Sequence, residues 1–355
     1  MAQSFANNDV AAAIDQCINQ YFEQSFRDAA EIDSSYLNLW RALHKLLKAG
    51  GKRLRPQLTL MAYSAFGGND TTSMLPIAAA QELLHVSLLI HDDVIDRDYV
   101  RHNTLNIAGT YKDVYAQYLP STEDAVHFAH GAAILAGDLM LSGAHELISS
   151  STVATEHKVA ARKLLSRSVF EVAGGELLDT ELSFVPYTDG DALKVARYKT
   201  AGYSFVNPLL TGAEIAGASK ADLKLLQAFG LSLGIAYQLV DDLLGTFGET
   251  SATGKSTTSD ITEGKRTFMI EQTLKKLSDS DKHLFYKGFG KQNATAHDIN
   301  EVKRLIIAAG AKDKTQQMIK SYANKAQAAL DTLNLAQKQH KDFSDLIRSV
   351  TERTY

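Results

Sequence analysis

Apolar positions along this chain recur every three to four residues over stretches too long for strands, and period-two alternation with hairpin signals is absent. The pattern predicts helix after helix. Asn7-Asn8-Asp9 caps a first helix running to about Phe26, and Asp33 or Ser34 opens a second toward Leu47. Gly50-Gly51 breaks the run, and Pro56 suits the first turn of the helix that follows. Further helices are expected from the 70s to Asp96, over 123–149, 156–180, 192–200 and 220–244, with about five more after Gly264. Five prolines in 355 residues leave these segments long and uninterrupted.

Two of the expected helices stand out. The stretch QELLHVSLLIHDDVIDRD (81–98) is apolar nearly all round and ends in Asp92, Asp93, Asp96 and Asp98. Glu82, His85, Leu89, Asp92 and Asp96 fall on one stripe, because steps of three and four return to the same helical face. Acids that close an apolar helix ordinarily mark its arrival at water. A second such end changes that reading: GIAYQLVDDLLG (234–245) again places Asp241 and Asp242 late in an apolar helix, with Gln238 one turn earlier. Carboxylates on core helices are costly unless paired or holding a metal. Oxygen-only donors select a hard cation, and Mg²⁺ in such sites comes with substrate phosphates.

Composition narrows the field further. Apolar residues make up 45% of the chain and charged residues 22%, enough for a large core in one all-α domain spanning 1–355. No linker or repeat divides the chain, and we take 50–267 as the motif-bearing core and 268–355 as a helical C-terminal part. A formal net charge of −4 gives no reason to expect nucleic acid. Cys17 is the only cysteine, so no intrachain disulfide forms, as suits a reducing compartment. The N-terminus lacks the basic and apolar regions of a signal peptide, and the sequence reading finds no stretch that spans a bilayer. These readings together place the protein in the cytoplasm.

The motifs arrive in a recognisable order: GGKRLRP (50–56), HDDVID (91–96), LAGD (135–138), Lys199-Thr200, YQLVDD (237–242) and TGK…GKRT (253–267). In this order, from about Gly50 to Thr267, the chain resembles the trans-isoprenyl diphosphate synthases of the polyprenyl synthetase family. The resemblance implies an isoprenoid-synthase type all-α fold, Mg²⁺ as cofactor, a homodimer, and two substrates, isopentenyl diphosphate and an allylic diphosphate. It assigns Lys52, Arg55 and His85 to the diphosphate of isopentenyl diphosphate. Asp92, Asp96 and Asp241 become metal ligands, with Asp93 and Asp242 orienting them or binding through water. Arg101, Lys199, Gln238 and Lys255 match contacts to the allylic diphosphate, and Thr200 and Lys265 match positions lining the same site. Residues 246–267 are expected to form a lid, and 109–130 a peripheral insertion.

The reaction implied is ionisation of the allylic diphosphate, attack by the double bond of isopentenyl diphosphate, and loss of a proton. Positioned cations and metal stabilise the departing charge, and no side-chain nucleophile is needed. Tyr237 offers either a π face to the cation or simply core. Three positions depart from the family's pattern: His102 follows Arg101 where a second arginine is usual, Gly245 replaces a third aspartate, and Glu176 replaces a glutamine. Ser87 and Leu88, just before the first acidic motif, are not aromatic, so the product is expected at geranylgeranyl length or longer. The alternatives are a farnesyl diphosphate synthase and a non-catalytic partner of a heteromeric synthase. A terpene cyclase needs no isopentenyl diphosphate pocket, and Lys52, Arg55 and His85 argue against it.

Overall fold

The computed structural model describes residues 8–101, 104–185, 190–248 and 259–352. The described chain is almost entirely helical, as the periodicity predicts. It forms two compact units, one of Ala6–Leu165 with Thr211–Ala218, the other built chiefly from Ser166–Leu210 and Ser219–Tyr355.

The first unit contains α1 (Asn8–Ile32), α2 (Ser34–Ala49), α3 (Leu54–Ala65), α4 (Thr71–Ile95), α5 (Ile107–Tyr115) and α6 (Thr122–Ser150). Of the two caps considered for α2, Asp33 is the one used, its carboxylate accepting from Ser35 N. The helix α4 is central and packs on α1, α3 and α6. It buries Met74, Ile77, Leu83, Leu84 and Ile90, so the near-continuous apolar run is that of a core helix. The matching face of α6 is a stripe of small residues, among them Ala129, Ala133, Ala136, Gly137, Gly143 and Ala144. A methyl at Gly137 would run into the His91 ring of α4, and one at Gly143 into Tyr21 Oη of α1, so both side chains would have to move to admit one. The expected insertion at 109–130 is helical: α5 buries Ile107, Ala108 and Tyr111 and packs on α6.

The helix α7 (Thr155–Glu181) runs from the first unit into the second. There follow α8 (Asp191–Val195), a π-helical segment (Ala196–Val206), α9 (Asn207–Ile215) and α10 (Lys220–Phe247). The five helices expected after Gly264 are Phe268–Leu274, Asp279–Gly288, Ala296–Ala308, Ala311–Thr332 and Gln337–Thr351, preceded by the short Ser259–Glu263. The core of the second unit joins Ala201, Leu239, Leu243, Phe268, Phe285 and Ile306, with α10 packed on both the π-helical segment and Ala311–Thr332. Gly234 on α10 lets that helix approach Ala201 of the π-helical segment, where a methyl would collide.

One sequence reading is corrected. By length and composition α4, α6 and α10 are each apolar enough to cross a membrane. In α4, 67% of the most apolar stretch is buried inside the protein, which accounts for its composition. A second correction is small: among the described residues there is one antiparallel ribbon, pairing Val100 with Leu105 and Arg101 with Thr104.

Candidate active site

In the first unit α4 delivers the acidic motif at its C-terminal end, where Asp96 is the cap residue. Asp92 and Asp96, one turn apart, each offer a carboxylate oxygen within 4.8 Å of the other. Asp92 is half-buried and Asp96 exposed, whereas Asp93 is buried. The chain then reverses through Arg97, which sits in the left-handed region at φ 59°. This turn and the ribbon bring Arg101 back onto the helix it has just left. Its Nε donates to Asp93 Oδ1 at 2.9 Å, and its NH2 donates to Asp93 Oδ1 at 2.5 Å and to Asp92 Oδ2 at 3.2 Å. Burial lifts the Asp93 carboxyl above the ordinary carboxylate range, and Arg101 opposes that lift. The sequence reading places Arg101 against a diphosphate; the structure engages its guanidinium with the acidic motif itself.

The basic motif of the same unit is a turn. Gly50 ends α2, Gly51 adopts φ 110°, and Arg53 starts α3 in the left-handed region. Lys52 is exposed and its carbonyl accepts from Gln57 Nε2 at 2.6 Å, while Arg55 is half-buried in the first turn of α3. His85 is half-buried on α4, two turns before Asp92. Ser87 is 1% exposed.

The second unit positions its residues through α7, the π-helical segment and α10. A methyl at Gly175 would run into the backbone of Lys199, so α7 touches the π-helical segment directly. That contact lets Lys199 Nζ donate to Glu176 Oε1 at 3.0 Å and to Asp179 Oδ2 at 2.7 Å. Segments of π-helix recur at functional sites because their wider turn redirects side chains. The next residue, Thr200, donates to Gln238 Oε1 at 2.6 Å, and Gln238 Nε2 donates to Asp242 Oδ1 at 2.8 Å. Burial drives the Asp242 carboxyl well above its usual range against the Gln238 hydrogen bond, with Asp260, Asp241 and Asp179 adding to the rise. Asp241 is the half-buried member of the pair. Tyr237 is half-buried and packs its ring against Phe205 at 5.3 Å between centroids.

Lys265 pairs with Glu263 at 3.0 Å and lies 3.7 Å from Asp260. Lys255, residues 249–258 of the expected lid and the departure at His102 lie outside the described residues. At Gly245 an added Cβ would meet the Asp260 carboxylate, which would have to shift. The sequence reading missed Asp15, Asp179 and Asp260. Asp179 was detectable, since it lies one turn from Glu176 on an expected helix.

The donors at Asp92 and Asp96 are oxygen only and close enough to share an ion, which fits Mg²⁺. The polyprenyl synthetase profile matches residues 38–306. The chain is 29% identical over 347 residues to geranylgeranyl diphosphate synthase of Sulfolobus acidocaldarius, covering 95% of this chain and 93% of that one. It is 30% identical over 311 residues to geranylfarnesyl diphosphate synthase of Aeropyrum pernix, covering 86% and 91%. Among solved structures, geranylgeranyl pyrophosphate synthase of Corynebacterium glutamicum, complexed with isoprenyl diphosphate and magnesium, is similar with a TM-score of 0.91. The identity there is 30%, over 98% of this chain and 99% of that one. The likeness runs through the basic turn and both acidic helices, so the chain belongs to the polyprenyl synthetase family, the prenyltransferases that make isoprenyl diphosphates.

Proposed function

We propose that this prenyltransferase condenses isopentenyl diphosphate with an allylic diphosphate and extends the chain to geranylgeranyl length or beyond. The observation that carries the reading is the outward pair Asp92 and Asp96, one turn apart at the end of a core helix. Asp92, Asp96 and Asp241 would hold Mg²⁺, and Asp93 and Asp242, buried beside them in sequence, would orient these ligands. Bound there, Mg²⁺ supplies Lewis acidity to the departing diphosphate.

The other residues do the positioning. Lys52, Arg55 and His85 hold the diphosphate of isopentenyl diphosphate, with the arginine fork matching two phosphate oxygens. Lys199, Gln238 and Lys255 face the allylic diphosphate, with Thr200 and Lys265 lining that site. Arg101, which also pairs with Asp92 and Asp93, matches a further contact to that diphosphate. The C–O bond of the allylic substrate breaks, its electrons leaving with the diphosphate. The double bond of isopentenyl diphosphate then attacks the allylic cation, and the proton lost in restoring a double bond goes to the departed diphosphate. Excluding water protects the cation from hydrolysis.

Product length rests on Ser87, small and buried five residues before Asp92. The relatives named above carry two different product names at about the same identity, so likeness alone does not choose. We read the whole chain as one functional domain, acting in the cytoplasm as a homodimer; exposed Ile134 and Leu135 on α6 supply apolar surface for such an assembly. The test is diphosphate release by the purified chain. It should require isopentenyl diphosphate, an allylic primer and Mg²⁺ together; release without the allylic primer or in excess chelator contradicts the reading.

A further inference from the structure

The motif GGKRLRP carries three cations, and the structure treats one of them differently. Lys52 is exposed and Arg55 half-buried, whereas Arg53 is 7% exposed and turned inward. Four hydrogen bonds hold its guanidinium. Nε donates to Asp15 Oδ1 at 2.7 Å, NH1 to Glu82 Oε1 at 3.0 Å and to Gly50 O at 2.9 Å, and NH2 to Leu47 O at 3.1 Å. One side chain thus ties α1, the end of α2 and α4 together. Burial works against its charge, but Glu82 and Asp15 keep that charge firmly in place.

The backbone shows what the ties accomplish. Arg53 lies at φ 50° and ψ 41°, the left-handed region that a residue with a Cβ occupies only against steric resistance. That conformation sets the direction in which the chain leaves the glycine pair and enters α3. Lys52 directly precedes it, and Arg55 follows in the first helical turn. Gly51 belongs to the same device: at φ 110°, a Cβ there would come within 2.8 Å of Arg53 NH1 and 3.1 Å of Glu82 Oε1. Glu82 lies three residues before His85, one turn away on α4. The clamp therefore joins the turn bearing Lys52 and Arg55 to the helix bearing His85.

We propose that Asp15 and Arg53 are positioning residues for the isopentenyl diphosphate pocket, fixing Lys52 and Arg55 relative to His85 through Glu82. The inference rests on the proposed function, which assigns those three ligands. Arg53 itself touches no substrate, because four of its five N–H donors already have protein partners. A loosened clamp should weaken one substrate and spare the other, since the ligands of the allylic diphosphate lie elsewhere in the sequence.

The variant of choice is Asp15→Asn. The Asp15 side chain is 47% exposed, so the change removes a charge without leaving a cavity. The expected result is a KM for isopentenyl diphosphate raised about tenfold, with kcat and the KM of the allylic primer within about twofold of wild type. Arg53→Lys, which keeps the charge but loses the fork, should move the same constant in the same direction and give less than additive change with Asp15→Asn. Calorimetric titration of the full chain with isopentenyl diphosphate provides a second readout. Wild type that fails to bind it overturns the functional reading. Wild type that binds, with both variants binding equally well or with both substrates weakened alike, overturns the clamp alone.

Discussion

The two acidic helix ends share a sequence pattern and differ in how their charge is balanced. At the end of α4 the buried Asp93 has a cation of its own, Arg101, which also reaches Asp92. At the end of α10 the partner of the buried Asp242 among the described residues is a neutral amide, Gln238, itself held by Thr200. Two site lysines of that unit, Lys199 and Lys265, pair with other carboxylates, Lys199 with Glu176 and Asp179, Lys265 with Glu263 and Asp260. The first end is built around a charge pair that exists without metal. The second holds its buried carboxyl through a relay of neutral groups, Thr200 to Gln238 to Asp242. Similar motifs are thus held in place by different partners.

The largest effect expected from this contrast is on stability. Arg101→Leu strands Asp93 in the interior, and breaking a buried pair from one side costs about 3–5 kcal/mol. Denaturant unfolding without metal should show that loss, and a change below about 1 kcal/mol would mean that Asp93 is satisfied without its arginine. Next comes chemistry: Asp92→Ala or Asp96→Ala should lower turnover at least about 10²-fold with folding intact, since each removes stabilisation of charge in the transition state. Turnover near the wild-type rate would remove both residues from the metal site.

Gly245 sharpens the comparison at the second end. From sequence, restoring an aspartate there should improve metal binding. We expect the opposite from the packing, because the Asp260 carboxylate beside Lys265 would have to move to admit the new side chain. Gly245→Asp should destabilise the chain by about 1–3 kcal/mol and raise the Mg²⁺ concentration needed for half-maximal rate. A lowered Mg²⁺ requirement would restore the sequence-based view. The smallest effect concerns Cys17 on α1, whose thiol burial pushes up to about 11. Alkylation needs the thiolate, about 10⁻³ of the thiol at pH 8, and should speed up about tenfold per pH unit below that value. Labelling at the rate of a free thiol at pH 8 would show that α1 opens readily.

Much of this was legible in the chain because helical periodicity is local. The extents of α4, α6, α7 and α10 match the expected segments within a few residues. What escaped was set by single backbone angles and by partners distant in sequence. Nothing in GGKRLRP says that Arg53 turns inward while Lys52 does not; the cause is a left-handed φ and an aspartate 38 residues earlier. The Arg101 ribbon is two residues per strand, too short for alternation to register. The π-helical turn at Lys199 and Thr200 keeps helical periodicity in its surroundings, so only the backbone reveals it.

The central claim is chain extension past farnesyl length, and product sizing tests it most directly. Purified chain is incubated with labelled isopentenyl diphosphate, Mg²⁺ and each allylic primer in turn, and the dephosphorylated products are separated by chain length. The account predicts products at geranylgeranyl length or beyond, with farnesyl diphosphate accepted as primer. Products that stop at farnesyl, or no incorporation with any primer, would contradict it.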